Sequence, residues 1–215
     1  MQAVTLIEPK GYVLQRKNTR ERILEAGFSV FAERTIDNVN LTDVADAAGV
    51  GMATVYRYFN SKPALVLAVA TWVWQKAVGL SRLHQYRKRD TAADEMRNYL
   101  EVFINMYREH KNLLRFNQYF NIYVKREGFP RETLKPYLDI IHALKADFHR
   151  IYVKGEADGT LRTDIPEEEM FSSSLHLMLA AVTRYAIGLV YEGGSDPERE
   201  LLLLKEMLVR TYVRA

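Results

Sequence analysis

The chain has 215 residues, 48% hydrophobic and 27% charged, which excludes an intrinsically disordered or low-complexity polypeptide. Its net charge of +3 is too small to argue for a nucleic-acid partner by itself, and the absence of cysteine removes disulfides, thiolate catalysis and thiol redox sensing. No apolar run approaches the roughly 20 residues that span a bilayer, and the first nine residues lack the basic and long apolar regions of a signal peptide, so a cytoplasmic chain with no membrane partner is expected.

The hydrophobic periodicity predicts an all-α protein of about nine helices with no convincing strand. Residues 1–18 contain Pro9 and Gly11 and show no clear period, so they read as a flexible arm. From Thr19 the pattern turns helical, with Ile23, Gly27, Val30 and Phe31 on one face. Asn40 and Asp43 form a capping box that opens a short helix burying Leu41, Val44, Ala45 and Ala48, and Gly49 stops it. A third short helix runs from about Met52 to Phe59, and Ser61 caps a long one from Lys62 to Leu80. Further helices are expected from Thr91, with Asp94 completing a second capping box, to His110; from Asn112 to Lys125; from Glu132 to Lys154; from Pro166 to Tyr191; and from Pro197 onward.

Short helix, glycine turn, short helix is the layout of a helix-turn-helix, carried here by LTDVADAAGVGMATVYRYF, residues 41–59. Ala45 and Ala48 are small where two helices cross, and Val50 and Val55 are apolar where the second helix docks on the first. Met52, Thr54, Tyr56, Arg57 and Tyr58 occupy its exposed face, whereas Phe59 reads as a core plug. Hydroxyls suit phosphate oxygens, and a guanidinium can bond bidentately to guanine O6 and N7. Basic and acidic residues nearly cancel over residues 1–62, so any positive face must come from placement, with Arg16, Lys17 and Arg20 as flanking candidates.

These residues resemble the tetracycline-repressor (TetR) family. The resemblance lies in Asp43-Val44-Ala45, Ala48-Gly49-Val50, Thr54-Val55-Tyr56-Arg57-Tyr58-Phe59 and Ser61-Lys62, within residues 19 to 65. It implies a helix-turn-helix DNA-binding domain at 19–64 and an effector-binding and dimerisation domain at 65–215. The expected DNA contacts are Arg20, Asn40, Thr42, Gly51, Met52, Ala53, Thr54, Tyr56, Arg57, Tyr58 and Lys62, the last through its motif position. The chain departs from the family pattern at four places. Thr35 stands where glycine is usual, Gly51 where serine is usual, Met52 where lysine is common, and Val39 where threonine is frequent.

The later helices are dense in aromatics. Phe103, Tyr107, Phe116, Tyr119, Phe120 and Tyr123, with Trp74 before them and His142 and His149 after, are candidates to line a small-molecule pocket. For the dimer, Leu177, Ala181 and Gly188 offer close helix approach. Four consecutive leucines, 201 to 204, cover a whole helix circumference, which a one-sided surface helix does not need. Leu201, Leu204, Leu208 and Tyr212 are therefore the interface candidates on the last helix, facing a second copy of the chain. No Ser/His/Asp array, phosphate loop or paired carboxylates is present. No enzyme, cofactor or metal is expected. The reading is a repressor that binds a palindromic operator in double-stranded DNA as a homodimer and is released by a small, largely apolar or aromatic effector. The alternative is a DNA-binding protein of the same fold with no effector, acting through protein partners.

Overall fold

The structure is a computed structural model that describes residues 10–83, 90–188 and 196–214, with backbone alone for 10–17 and 79–83. Among the described residues there are nine helices and one isolated backbone bridge. They are α1 Lys10–Arg34, α2 Leu41–Ala48, α3 Met52–Tyr58, α4 Lys62–Leu83, α5 Ala92–Glu109, α6 Lys111–Glu127, α7 Arg131–Asp158, α8 Glu167–Ile187 and α9 Pro197–Tyr212. No helix among them is long and apolar enough to cross a membrane.

Local chemistry accounts for several of the ends. At α2 the Asn40 Oδ1 accepts from the Asp43 N–H at 3.0 Å, and Asp43 Oδ2 accepts from the Asn40 N–H at 2.7 Å. Leu41, Val44, Ala45 and Ala48 are the buried residues of that helix, as their spacing requires. Gly49 ends it at φ 61, a left-handed conformation that costs glycine nothing. The Thr91–Asp94 box opens α5 in the same way. Ser61 Oγ accepts from the Ala64 N–H at 3.3 Å and starts α4.

Three boundaries differ from expectation by four residues or more: the start of α1, the end of α7, at Asp158 rather than Lys154, and the end of α8. Helix α1 begins at Lys10, so residues 10–18 are helical and only 1–9 of the expected arm lie outside the described residues. Leu14, Gln15, Arg16 and Lys17 are good helix formers that extend a helix without needing a buried face, and apolar periodicity cannot register them. At the other end, α8 stops at Ile187 rather than Tyr191, and residues 189–195 lie outside the description.

Helix α1 packs on α2, α4 and α6. At Gly27 there is no room for more: a Cβ there would lie 3.1 Å from Val69 Cγ2 and 3.7 Å from Val44 Cγ1. Helix α6 packs against both α1 and α8. Its Phe116 meets Phe28 edge-on at 5.7 Å and stacks near Phe31 at 6.4 Å and Phe120 at 6.0 Å. Buried apolar residues form one cluster from Ile23 to Tyr212. The end of α9 is strapped to the α7–α8 turn, where Arg162 N–H donates to Tyr212 O at 2.8 Å and Arg214 N–H to Thr160 O at 2.9 Å.

Two predictions follow from the head of the molecule. Thr35 sits at φ 69, a conformation unfavourable for a β-branched residue by ~1–2 kcal/mol. Thr35→Gly should raise stability by about 1 kcal/mol, a few degrees in Tm for a chain of this size. Arg22 Nη2 donates to Ala48 O at 2.6 Å, placing a cation on the last carbonyls of α2. Arg22→Ala should destabilise by about 1 kcal/mol, read as a lower thermal midpoint.

Candidate nucleic-acid interface

The turn between α2 and α3 is held from both sides. Val50 N–H donates to Ala45 O at 3.0 Å, and the Arg22 guanidinium reaches Ala48 O across from α1. Val55, wholly buried, anchors α3, and Phe59, 4% exposed, closes the gap behind it as the expected plug. Inward anchoring of Val55 turns the opposite side of this seven-residue helix to solvent. Tyr56 is 52% exposed. Ala53 and Arg57 are exposed, and Met52, Thr54 and Tyr58 are half-buried.

The Arg57 guanidinium lies 5.5 Å from the Tyr58 ring centroid, so the ring supports the cation from one side while its donors stay open. Arg20 lies the same distance from the Phe59 ring, which brings it to the C-terminal end of α3. The side chains of Arg16 and Lys17 lie outside the described residues. Gly51 is the N-cap of α3 at φ −73 and ψ 150, with no side-chain cap bond. The first N–H groups of α3 therefore start without a competing hydroxyl. Thr42 is exposed on α2, and Asn40 is exposed but spends its carbonyl oxygen on the cap. Val39 is 1% exposed, so the apolar residue at that position is a core contact.

Lys62 is placed less simply. Its Nζ donates to Asp37 O at 3.4 Å, and partial burial lowers its pKa below the ordinary lysine value. Asp37 itself is bridged at 2.6 Å to Arg126, the next-to-last residue of α6. Neither Arg22 nor Arg126 was among the expected site residues. Arg22 could have been suspected as a cation one packed helix away from an acceptor-rich C-terminus, whereas nothing local marks Arg126.

Three of the aromatic candidates, Phe116, Phe120 and Phe103, fall into two packed groups. In one, Phe116 and Phe120 stack with Phe28 and Phe31, and Phe120 meets Tyr137 at 4.9 Å. Burial pushes the Tyr137 phenol up to about 12. In the other, Phe103 meets Tyr99 at 5.5 Å, Tyr99 meets Phe148 at 5.2 Å, and Phe148 meets Phe171 at 5.4 Å. Tyr107 turns to Tyr185 instead, and Tyr123 to Phe129. Trp74 donates its Nε1–H to the buried Asn117 Oδ1 at 3.2 Å. Tyr119 is half-buried. His142 and His149 are exposed, and His149 Nδ1 lies 2.9 Å from Glu167 Oε2. They are corrected from the pocket set: seven residues apart they do share a face of α7, but it is the solvent face.

A cleft of about 490 Å³ opens elsewhere, between α1, α4 and the α5–α6 turn, with Phe28, Val73, Leu113, Lys76 and Lys111 in its lining. None of the expected pocket residues lines it. Lys76 there is already paired with Glu21 at 3.0 Å and Glu25 at 3.5 Å.

The dimer candidates also divide. Leu201, Leu208 and Tyr212 are at most 5% exposed and belong to the protomer's own core, so they are corrected from the outer face. The residues that face out on α9 are Leu202, Leu203 and Met207, the last two 63% and 57% exposed. Leu204 and Ala181 are half-buried, and Gly188 is exposed. Leu177, 49% exposed, keeps its outward place on α8.

Comparison with known proteins bears on the same region. Residues 23–69 match the family model described as "Bacterial regulatory proteins, tetR family". The HTH-type transcriptional regulator YvdT of Bacillus subtilis is 38% identical over 56 residues, 26% of this chain and 29% of that protein. An HTH-type transcriptional regulator of Staphylococcus aureus is 26% identical over 68% of this chain and 77% of its own length. In three dimensions, a protein from Saccharomonospora viridis solved in complex with choline superposes with a TM-score of 0.74 at 20% identity, covering 93% of this chain and all of that one. Residues 23–69, which span the helix-turn-helix, thus carry the segment described for the tetR family of bacterial regulatory proteins, and the fold is shared with the Saccharomonospora viridis protein over nearly the whole chain.

Proposed function

We propose that the chain is a transcriptional repressor that binds a palindromic operator as a homodimer and is released by a small molecule. In this reading residues 19–64 are the DNA-binding head and 65–215 the dimerising and effector-binding body. The observation that carries it is the exposed face of α3, where Ala53, Tyr56 and Arg57 stand clear of a helix anchored by Val55. That face enters the major groove, with Arg57 reading bases and Thr54, Tyr56, Tyr58, Thr42, Arg20 and Lys62 holding phosphates. The work is regulatory and not catalytic, and it belongs where bacterial DNA lies, in the cytoplasm.

The homodimer rests on the outward apolar face of α8 and α9. Leu177, Leu203 and Met207 are 49%, 63% and 57% exposed, and a partner that covers them takes large apolar side chains out of water. A two-fold mate buries the same patch on both copies and sets two recognition helices apart. Entry into successive major grooves requires about 34–36 Å between them.

The effector is supported by the buried hydroxyl of Thr183, whose Oγ1 lacks a hydrogen-bond partner and would gain from a polar atom beside it. The choline held by the Saccharomonospora viridis protein fits the same reading. A second reading, a DNA-binding protein acting through protein partners without an effector, is favoured by the close packing of Phe103, Phe116 and Phe120, which were expected to line a pocket. Screening small molecules for thermal stabilisation separates the two, because a ligand that binds the folded state must raise Tm.

Purified protein should shift DNA from upstream of its own gene, and failure to shift any DNA would count against both readings. Arg57→Ala should relax the preferred sequence by ~1–3 kcal/mol of discrimination. An unchanged binding site in Arg57→Ala would remove Arg57 from base reading. Leu203→Glu and Met207→Glu should give monomers by light scattering with α-helical content intact, and wild-type protein running as a monomer at micromolar concentration would refute the dimer.

A further inference from the structure

Three chain segments converge beside the head: the α1–α2 loop at Asp37, the first residue of α4, Lys62, and the C-terminal end of α6 at Arg126. Arg126 Nη1 lies 2.6 Å from Asp37 Oδ2, and its Nη2 lies 2.9 Å from Glu127 Oε1. The guanidinium also sits 5.3 Å from the Tyr123 ring centroid. Lys62 Nζ reaches the same Asp37, but at its backbone oxygen. Asp37, Arg126, Glu127 and Asp43 are the charged groups that act on Lys62.

We propose that Arg126 is a positioning residue for DNA binding: by occupying the Asp37 carboxylate, it keeps the Lys62 ammonium available to a DNA phosphate. The inference rests on the DNA-binding reading above and adds to it a residue outside the head. A planar guanidinium matches a carboxylate better than an ammonium does, so Arg126 outcompetes Lys62 for Asp37. Without Arg126 the carboxylate stands unpaired beside a lysine already within reach of the same residue. Lys62 then turns from the carbonyl to the carboxylate. A lysine neutralised inside the protein releases no counterion from DNA, so one phosphate contact per head is lost.

The test compares wild type, Lys62→Ala, Arg126→Gln and Arg126→Gln/Asp37→Asn in operator binding over a series of salt concentrations. Arg126→Gln should flatten the slope of log K against log salt by about 0.9 per head, as Lys62→Ala does. Adding Asp37→Asn should restore the wild-type slope, because the carboxylate that captures the lysine is gone. A purely structural role for Arg126 would lower affinity with the slope unchanged and without rescue by Asp37→Asn, and that result overturns the proposal. A readout without DNA is the NMR titration of the Lys62 side chain. Its pKa should rise in Arg126→Gln and fall back in the double variant, and a Lys62 titration indifferent to Arg126 also overturns the proposal. Wild-type protein that binds no DNA overturns the DNA-binding reading and this role with it. Wild-type binding with an unmoved slope in Arg126→Gln overturns this role alone.

Discussion

Phe116 is where the middle of the chain closes on its first described helix. It is wholly buried on α6 and touches two aromatics of α1 and one of its own helix. Truncating a buried phenylalanine costs ~3–5 kcal/mol, a large share of the ~5–15 kcal/mol that separates a typical domain from its unfolded state. The contact is also directional. Edge-on packing to Phe28 and near-parallel packing to Phe31 define how α1 is rolled against α6, and α2 rides on α1 and carries α3. The orientation of the reading face is thus set from the body through a hydrophobic contact, not only through the covalent continuity of α4.

Helix α4 is restrained on two sides by unlike means. Inward, Trp74 is tied to Asn117 of α6 by a buried hydrogen bond, which is satisfied in only one register and so specifies it. Outward, Lys76 lies 4.0 Å from the Trp72 ring centroid and pairs with Glu21 and Glu25 of α1. The exposed side is held by salt-screened charge and the inner side by shape and a single polar pair. An element held this way can tilt by loosening its outer contacts while its inner register persists.

The helix-turn-helix was legible because its signals are local. Asn40 with Asp43, Gly49, and Ser61 before Lys62 each act within four residues, and the four small or apolar positions of α2 show a clean face. The phase of α9 was not legible, since four leucines in a row favour no side. Which of them faces in is decided by α5 and α8, where the ion pairs of Glu101 with Lys205 and of Arg108 with Glu198 seat the helix. How the pocket candidates pack was not legible for a related reason. Aromatic density predicts burial, but whether rings enclose a space or fill it depends on partners from distant segments, as Phe28 and Tyr137 do here. A pair between distant segments such as Arg126 with Asp37 leaves no trace in local spacing.

The strap at the end of α9 has a mechanical meaning. At its start the helix is capped by Asp196 and gripped by Arg108 through Glu198, and at its end two backbone bonds lace it to residues 160–162. A cylinder clamped at both ends cannot spin about its own axis. Each residue of roll would carry the outward stripe through about 100°, so even slight torsional play would smear Leu203 and Met207 across the surface. With the play removed, a second subunit docking there would meet a seam of constant bearing. In a two-fold assembly built on that seam, any change in the spacing of the reading heads must come from pivoting within each protomer, with the seam as its fixed fulcrum.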